Sequence, residues 1–183
     1  MRHALVNAQN RVVNIIEAEE GFTLETEEFR VIPDAERVSA IGMGYVDGQF
    51  KSAWELMSLE EQKDETRKRI DRETQAAIEA GFAYAVNGAN YRFSYDQFDQ
   101  QNFADTAGAC LMAQSGIKGL PESVTWNAYD EADNLARLTF TPAEFLALYA
   151  GGALLHKAAK MDEGGTRKLA VDAAETAEEL LAV

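Results

Sequence analysis

The dipeptide Asn87-Gly88 is the feature that most constrains how this chain can fold. Asn-Gly is the preferred two-residue type I′ turn of a β-hairpin because both positions need positive φ. Counting outward from the turn gives three opposed pairs: Val86 with Ala89, Tyr84 with Tyr91 and Phe82 with Phe93. All three pairs fall on one face, since side chains alternate along a strand. The segment is therefore predicted to be a hairpin with one buried face.

A helix and a second strand pair are predicted after this hairpin. The helix, rich in small residues, covers Gln97–Gln114 and ends at Ser115-Gly116. The apolar, β-branched and aromatic residues of 124–126 and 135–140 predict two strands, which a turn over 130–134 connects. The segment thus combines two hairpins with a helix between them.

Helices are predicted for the rest of the chain. Thr141-Pro142-Ala143-Glu144 is a capping box with proline at the first helical position, where its missing N–H costs nothing. Gly151-Gly152 is expected to mark a kink or a close helix crossing. Gly164-Gly165 is expected to break the helical run, and a final amphipathic helix is predicted over Thr166–Leu181.

The first 56 residues predict a small antiparallel β module. Two short strands, Ala4–Val6 and Val12–Ile16, flank a polar turn, and Phe29–Ile32 is a third strand. Asp47-Gly48 then lies between short extended pieces, which is a hairpin signal. Such a module is too small to bury much surface by itself.

Residues 57–80 predict a helix that joins this module to the rest. Ser58 and Glu61 match a capping box, and Gly81 suits the position after a helix end. The first half of the helix is charged on every side, so it is expected to be a solvated spacer. Residues 81–183 then form the second domain. The predicted fold class is α+β: an N-terminal antiparallel β module, a polar spacer helix, and a module of two hairpins and two to three helices.

The charge of the chain limits its partners. A formal net charge of -14 argues against binding nucleic acid or an anionic membrane through basic patches. No apolar run approaches the roughly 20 residues that span a bilayer, so no membrane insertion is expected. The N-terminus lacks the apolar segment of a signal peptide. The single Cys110 is expected to be a small buried hydrophobic residue, which suits a reducing cytosol.

The residues that could carry chemistry do not form a catalytic or metal-binding motif. His3 and His156 belong to different modules, and 130–134 lacks the central glycine and distal glutamate of a calcium loop. Asp96, Asp99 and Asp105 cluster where a helix starts, and carboxylates there favour the helix dipole. A sugar-cleaving carboxylate pair is the alternative for them.

Three other chemistries lack their sequence patterns as well. The glycines near 42 and 116 lack phosphate-loop spacing, and Ser115 and Ser123 have no nucleophile-elbow context. The aromatic residues between 84 and 103 have no interleaved basic residues, so core packing is expected instead of nucleic-acid stacking. They are Tyr84, Tyr91, Phe93, Tyr95, Phe98 and Phe103. No catalytic, cofactor-binding or metal-binding residue is assigned, and the chain is predicted not to be an enzyme.

The second module, over about residues 60–180, resembles a domain family of unassigned function found in tail-fibre and baseplate proteins of tailed bacteriophages and prophages. The residues that carry the likeness are Gly81-Phe82-Ala83-Tyr84, Asn87-Gly88, Asp96, the helix around Ala104–Ala113, Val124-Thr125-Trp126-Asn127, the segment Leu138–Phe145 and the helix through His156. The first module is similar to β segments that precede such domains, through Val12–Ile16 and Gly44–Phe50.

The resemblance implies a non-enzymatic structural or adaptor subunit of a phage tail, made in the host cytoplasm and located in the virion. Its partners would be tail-fibre or baseplate proteins, with a homo-oligomer as a further option. A tail-fibre assembly chaperone is one alternative. A glycan-active tail enzyme using Asp96 and Asp99 is another. The family supplies no catalytic residues and no cofactor.

Overall fold

The computed structural model describes residues 1–183, and it confirms the α+β fold class. The chain forms two compact units. The N-terminal unit contains Met1–Glu65 and Glu175–Leu180, and the C-terminal unit contains Thr66–Ala174 and Leu181–Val183. All sheets are antiparallel.

The N-terminal unit contains a three-stranded sheet and a separate hairpin. The strands are β1 Arg2–Asn7, β2 Val12–Glu17, β3 Phe29–Pro33, β4 Gly44–Val46 and β5 Gln49–Lys51. The sheet order is β2-β1-β3, and β4 pairs with β5. Asp47 and Gly48 both have positive φ between β4 and β5, as the predicted turn requires. Ala4, Val6 and Val12 form the buried core of this unit.

Buried polar groups complete the N-terminal unit. The Asp34 side chain is only 1% exposed, and it accepts hydrogen bonds from the Val38 and Ser39 backbone N–H groups at 2.9 and 3.1 Å. The Ser39 hydroxyl also donates to Asp34 Oδ2, and Arg2 Nε lies 3.1 Å from the same oxygen. The carboxylate therefore holds the loop after β3 in place, because it satisfies backbone donors that would otherwise be unpaired.

The C-terminal unit contains a four-stranded sheet in the order β6-β7-β8-β9. Its strands are β6 Phe82–Val86, β7 Ala89–Phe93, β8 Val124–Tyr129 and β9 Leu135–Phe140. The pairs predicted across Asn87-Gly88 are confirmed, and both turn residues have positive φ. Each hairpin is paired along its full length, whereas β7 and β8 share the single bridge Arg92↔Tyr129. The sheet is thus two hairpins joined at one point.

The helices lie between and after these strands. They are α1 Leu59–Glu79, α2 Gln97–Gln114, α3 Pro142–Leu148, α4 Leu155–Ala173 and α5 Ala177–Leu181, with a π-helical turn, Tyr149–Leu154, joining α3 to α4. The bounds of α2 are those predicted. The capping boxes at Ser58 and Thr141 are both formed, since each pairs with the glutamate three residues later.

Aromatic rings dominate the core of the C-terminal unit. Phe103 of α2 is fully buried, with its ring centroid 5.7 Å from that of Phe82, 5.7 Å from that of Phe145 and 4.3 Å from that of Trp126. Gly152 has room only for hydrogen, because a Cβ there would lie 2.4 Å from a ring carbon of Phe82. The predicted close crossing at Gly151-Gly152 is therefore a π turn packed against a strand residue, and the neighbour is not another helix.

The expectation that the first half of α1 is a solvated spacer is wrong, because Gln62, Lys63 and Thr66 are buried. Ile70 and Ile78 of the second half are buried as well. A Cβ at Gly164 of α4 would lie 2.4 Å from Thr74 Oγ1. Arg167 of α4 forms an ion pair of 2.6 Å with Glu73. Charge on all sides did not exclude packing, since the facing helix supplies complementary charges and a glycine for close approach.

The predicted break at Gly164-Gly165 is also wrong, and so is the single final helix over Thr166–Leu181. Helix α4 continues through both glycines, because Gly164 lies against α1, where a side chain would not fit. The interruption comes ten residues later, at Ala174, whose backbone is extended. Glycine lowers helix propensity by about 1 kcal/mol, and tertiary packing outweighs that cost here.

Candidate functional site

An open cleft of about 620 Å³ lies in the C-terminal unit. Helix α2 provides one wall, and β8 with Arg137 of β9 provides the other. Ser94, which directly follows β7, completes the lining. The cleft therefore lies where β7 leaves the sheet and the chain turns into α2.

The helix wall is positioned by the start of α2. The Asp96 carboxylate caps the helix by accepting the Asp99 backbone N–H at 2.8 Å, so its role at a helix start is confirmed. Phe98, Asn102 and Thr106 are spaced by four residues and lie on one side of α2. Phe98 is 74% exposed, which corrects the expectation that it packs in the core.

Asp99 supplies a carboxylate to the cleft. It is partly buried and forms no ion pair, and it accepts a hydrogen bond from the Asp96 backbone N–H. Burial disfavours its charged form, and the neighbouring Asp96 carboxylate adds to the effect, so the pKa of Asp99 is raised above its usual value. A cation in the cleft would relieve both effects.

The strand wall combines exposed polar residues with an anchored tryptophan. Thr125, Asn127 and Tyr129 lie on one face of β8, and Trp126 lies on the other. The Trp126 ring centroid is 4.3 Å from that of Phe103, so Trp126 packs against the aromatic core. The aromatic core thus holds β8 while its polar face stays exposed.

The two arginines near this wall differ in their partners. The Arg92 guanidinium lies 4.5 Å from the Tyr129 ring centroid and 2.5 Å from the Asp133 carboxylate. Arg137 is exposed and forms no ion pair or hydrogen bond. Asp99 and Arg137 are therefore the charged side chains of the cleft, and neither has an ion-pair partner within the protein.

Four neutral polar side chains of the cleft are unpaired within the protein. Ser94, Asn102, Thr106 and Asn127 form no side-chain hydrogen bond within the protein. Ser94, Asn102 and Thr106 are half-buried. Unpaired donors and acceptors beside aromatic rings are typical of a binding site, where a few polar groups orient a ligand.

The remaining candidates lie apart from the cleft lining. Asp105 accepts a hydrogen bond from Gln101 at 2.8 Å on the surface of α2. Cys110 is buried as expected, and burial raises the pKa of its thiol. His156 is half-buried, with Nε2 3.0 Å from the Ile78 carbonyl oxygen. His3 is buried in the N-terminal unit.

The acidic segment 130–134 is a turn, as predicted. One Asp130 oxygen accepts the backbone N–H groups of Ala132 and Asn134 at 2.9 and 2.8 Å, which lowers the pKa of this carboxyl. No group of three or more His, Cys, Asp or Glu residues is arranged to hold a metal ion. The cleft can therefore hold a ligand through hydrogen bonds, one carboxylate, one guanidinium and aromatic surface.

Sequence reasoning singled out Asp99 and Phe98 but missed Asn102, Asn127 and Arg137. The alternation Thr125, Trp126, Asn127 already indicates that β8 has one polar face. Nothing in the sequence signals that this face meets α2 across a gap, because that depends on where β7 and β8 separate.

No helix of the chain combines the length and the apolar character needed to cross a membrane. Comparison with curated proteins and with solved structures finds no match. The family described as Domain of unknown function (DUF4376) matches residues 61–183, which include α2, the whole four-stranded sheet and the cleft. The match covers more than half of the chain, and the chain therefore belongs to the DUF4376 family.

Proposed function

We propose that this protein is a non-enzymatic structural or adaptor subunit of a bacteriophage tail, attached to a fibre or to the baseplate. The observation that carries the binding role is the cleft between α2 and β8, in which several polar side chains have no partner within the chain. They are Ser94, Asn102, Thr106, Asn127 and Arg137. The family is described as a domain of unknown function, so belonging to it indicates no activity. The tail setting rests on the likeness of the sequence motifs to phage tail proteins.

Exposed apolar side chains support a role in contacts between proteins. Leu111 and Met112 near the end of α2, and Ile117 just after it, are each close to half exposed or more. Apolar residues that gather at one helix end are more costly in water than scattered ones, and such groups often mark interaction surfaces. The formal net charge of -14 favours a partner whose surface carries basic residues.

One observation favours a glycan-active enzyme as a second candidate. Asp99 has a raised pKa in a cleft with aromatic walls, as a general acid would. Asp96, its proposed partner, is engaged in capping α2 through the Asp99 N–H. Hydrolysis of a glycoside uses two carboxylates on either side of the bond, and the second one is not supplied by Asp96 in this geometry.

Mass spectrometry of purified phage particles tests the proposal, with lysate of infected cells as the reference sample. A tail subunit is expected in intact particles at a fixed ratio to the fibre or baseplate proteins. Recovery with fibres in the lysate but absence from particles would favour the assembly chaperone. Absence from both would refute a role in the tail.

The enzyme candidate needs its own measurement. Host-surface glycan is incubated with the native protein and with Asp99→Asn, and product is followed by chromatography. No turnover by the native protein removes that candidate. Turnover that the substitution abolishes would replace the adaptor proposal.

A further inference from the structure

The edge of β8 that faces β7 is paired with it at a single bridge and has no strand partner along the rest of its length. Arg92↔Tyr129 is the only bridge between β7 and β8, and β7 ends one residue later. Residues 124–128 form no backbone hydrogen bond outside the sheet ladders. In an antiparallel sheet the N–H and C=O groups of alternate residues point to opposite edges. About half of the backbone groups of β8 therefore face the cleft without a strand partner.

The shape of the cleft matches an extended chain. The open stretch of β8, residues 124–127, is about 13 Å long at roughly 3.3 Å per residue. Helix α2 runs along the other side, with Asn102 and Thr106 facing the gap. A polypeptide is the ligand whose alternating N–H and C=O groups match a free strand edge.

The charges of the cleft indicate what side chain such a segment carries. The Asp99 carboxylate is partly buried and has no ion-pair partner, and it lies beside the exposed ring of Phe98. A lysine or arginine would pair with the carboxylate and pack on the ring. Arg137 on the strand wall would donate to a carbonyl oxygen of the segment. The net charge of -14 favours the approach of a basic ligand.

We propose that this cleft binds an extended segment of a partner protein, which adds a strand to the free edge of β8 and places a basic side chain against Asp99. The proposal rests on the proposed function, because it names the kind of partner that an adaptor subunit would hold. It adds a binding site and a recognition chemistry that family membership does not supply.

A random heptapeptide library is the probe for the test. The full chain is immobilised, and the peptides it enriches are sequenced and synthesised. We expect enriched peptides to carry a lysine or arginine at one fixed position. We expect their binding to be lost when alternate amides are N-methylated, because a methylated amide cannot donate to β8. Amide NMR of the full chain should then show the shifts concentrated at residues 124–128.

Two matched pairs of variants locate the site. Asp99→Asn should weaken binding of the enriched peptides by about tenfold or more, since it removes a charge-assisted contact. Asp105→Asn on the same helix should leave it within about twofold. Asn102→Trp should abolish binding by filling the cleft, whereas Gln101→Trp, exposed beside it, should not.

Three results would overturn the proposal. The first is that the native chain enriches no peptides beyond those that the Asn102→Trp variant enriches. The second is that the N-methylated peptides bind as tightly as the unmodified ones. The third is that the native chain binds no peptide but binds a glycan on a glycan array, and that Asn102→Trp blocks this binding. None of these results depends on whether the protein occurs in purified particles. Failure of the peptide site and failure of the tail assignment are therefore separate outcomes.

Discussion

The two units of the chain are stabilised by different means. The N-terminal unit buries small apolar residues, such as Ala4 and Val6, next to the polar side chains of His3, Asp34 and Ser39. The C-terminal unit buries a connected set of aromatic rings around Phe103. A small sheet has little apolar surface to bury, so directed hydrogen bonds contribute more of its stability. The aromatic unit depends on close packing.

This difference can be measured because each unit contains one of the two tryptophans. Trp54 lies in the N-terminal unit and Trp126 in the C-terminal unit. Replacing either one by phenylalanine leaves a fluorescent reporter for the other unit. Substitutions of polar and of apolar residues can then be compared unit by unit in urea titrations.

The largest effect is expected for Phe103→Ala. The side chain is fully buried among rings, and truncating such a residue costs about 3–5 kcal/mol of the free energy of unfolding. Urea unfolding followed at Trp126 measures the loss. Phe98→Ala, on the same helix but exposed, should cost less than about 0.5 kcal/mol. Similar losses for the two variants would contradict the packed aromatic core.

Asp34→Ala should destabilise the N-terminal unit by about 2–4 kcal/mol, because it leaves the backbone N–H groups of Val38 and Ser39 without their acceptor and Arg2 without its ion-pair partner. Unfolding followed at Trp54 measures this. Glu36→Ala, in the same loop and exposed, is the control and should change stability by less than about 0.5 kcal/mol. A small effect of Asp34→Ala would mean that apolar burial dominates in both units.

The same carboxylate makes the N-terminal unit sensitive to acid. Burial by itself would raise the pKa of Asp34, but hydrogen bonds from Ser39 and Val38 and the charge of Arg2 outweigh it, so the pKa is lowered. A lowered folded-state pKa stabilises the fold above the ordinary aspartate pKa of about 3.9. That stabilisation should be lost as the pH falls through the folded-state value. The gap between wild type and Asp34→Ala should shrink over the same range.

Gly152→Ala should cost about 1–3 kcal/mol in the C-terminal unit, since the new methyl group would meet the Phe82 ring at 2.4 Å. Gly165→Ala is the matched control in the same helical run, with no atom within 4 Å of the new Cβ. That control should stabilise the protein by about 0.5–1 kcal/mol, because alanine favours helix. Thermal unfolding of both variants measures the difference, and a neutral Gly152→Ala would argue against tight packing.

The smallest effect is expected for Asp99→Asn. The raised pKa of Asp99 means that the folded state holds this proton more tightly than the unfolded state does. Its charge therefore reduces stability as the pH rises from the ordinary aspartate value through the raised one. The amide should raise stability at neutral pH by about 0.5 kcal/mol or less, and the gain should vanish in acid. A loss at neutral pH would mean that the hydrogen bond from the Asp96 backbone N–H to the carboxylate outweighs the cost of burying its charge.

Local signals were sufficient for most of the secondary structure. Asn87-Gly88 set both the turn and the register of its hairpin, and Ser115-Gly116 marked the end of α2, because these residues act within a few positions of themselves. Gly164-Gly165 misled for the opposite reason. Its role depends on Thr74, about ninety positions away in the sequence, and periodicity cannot report such a contact.

The candidate site was less accessible to sequence reasoning than the fold. Asp99 could be singled out by charge, but the cleft exists because β7 and β8 meet only at Arg92 and Tyr129. In the sequence nothing distinguishes Asn102 and Asn127 from other polar residues. In the structure the separation of the two strands places them on opposite walls of one cleft. Their importance follows from the topology of the sheet.

The π turn at Tyr149–Leu154 has a consequence for the phase of the long helical run. Its buried positions are Phe145 and Leu148 before the turn, Gly152 and Ala153 within it, and Gly164 and Val171 after it. The hydrogen bonds of a π turn span five residues instead of four, so this turn holds one residue more than an α-helical turn does. The turn thus rotates everything after it by about 100° relative to an uninterrupted helix. An alignment of family members should therefore allow a one-residue insertion or deletion at this turn while keeping both buried faces intact.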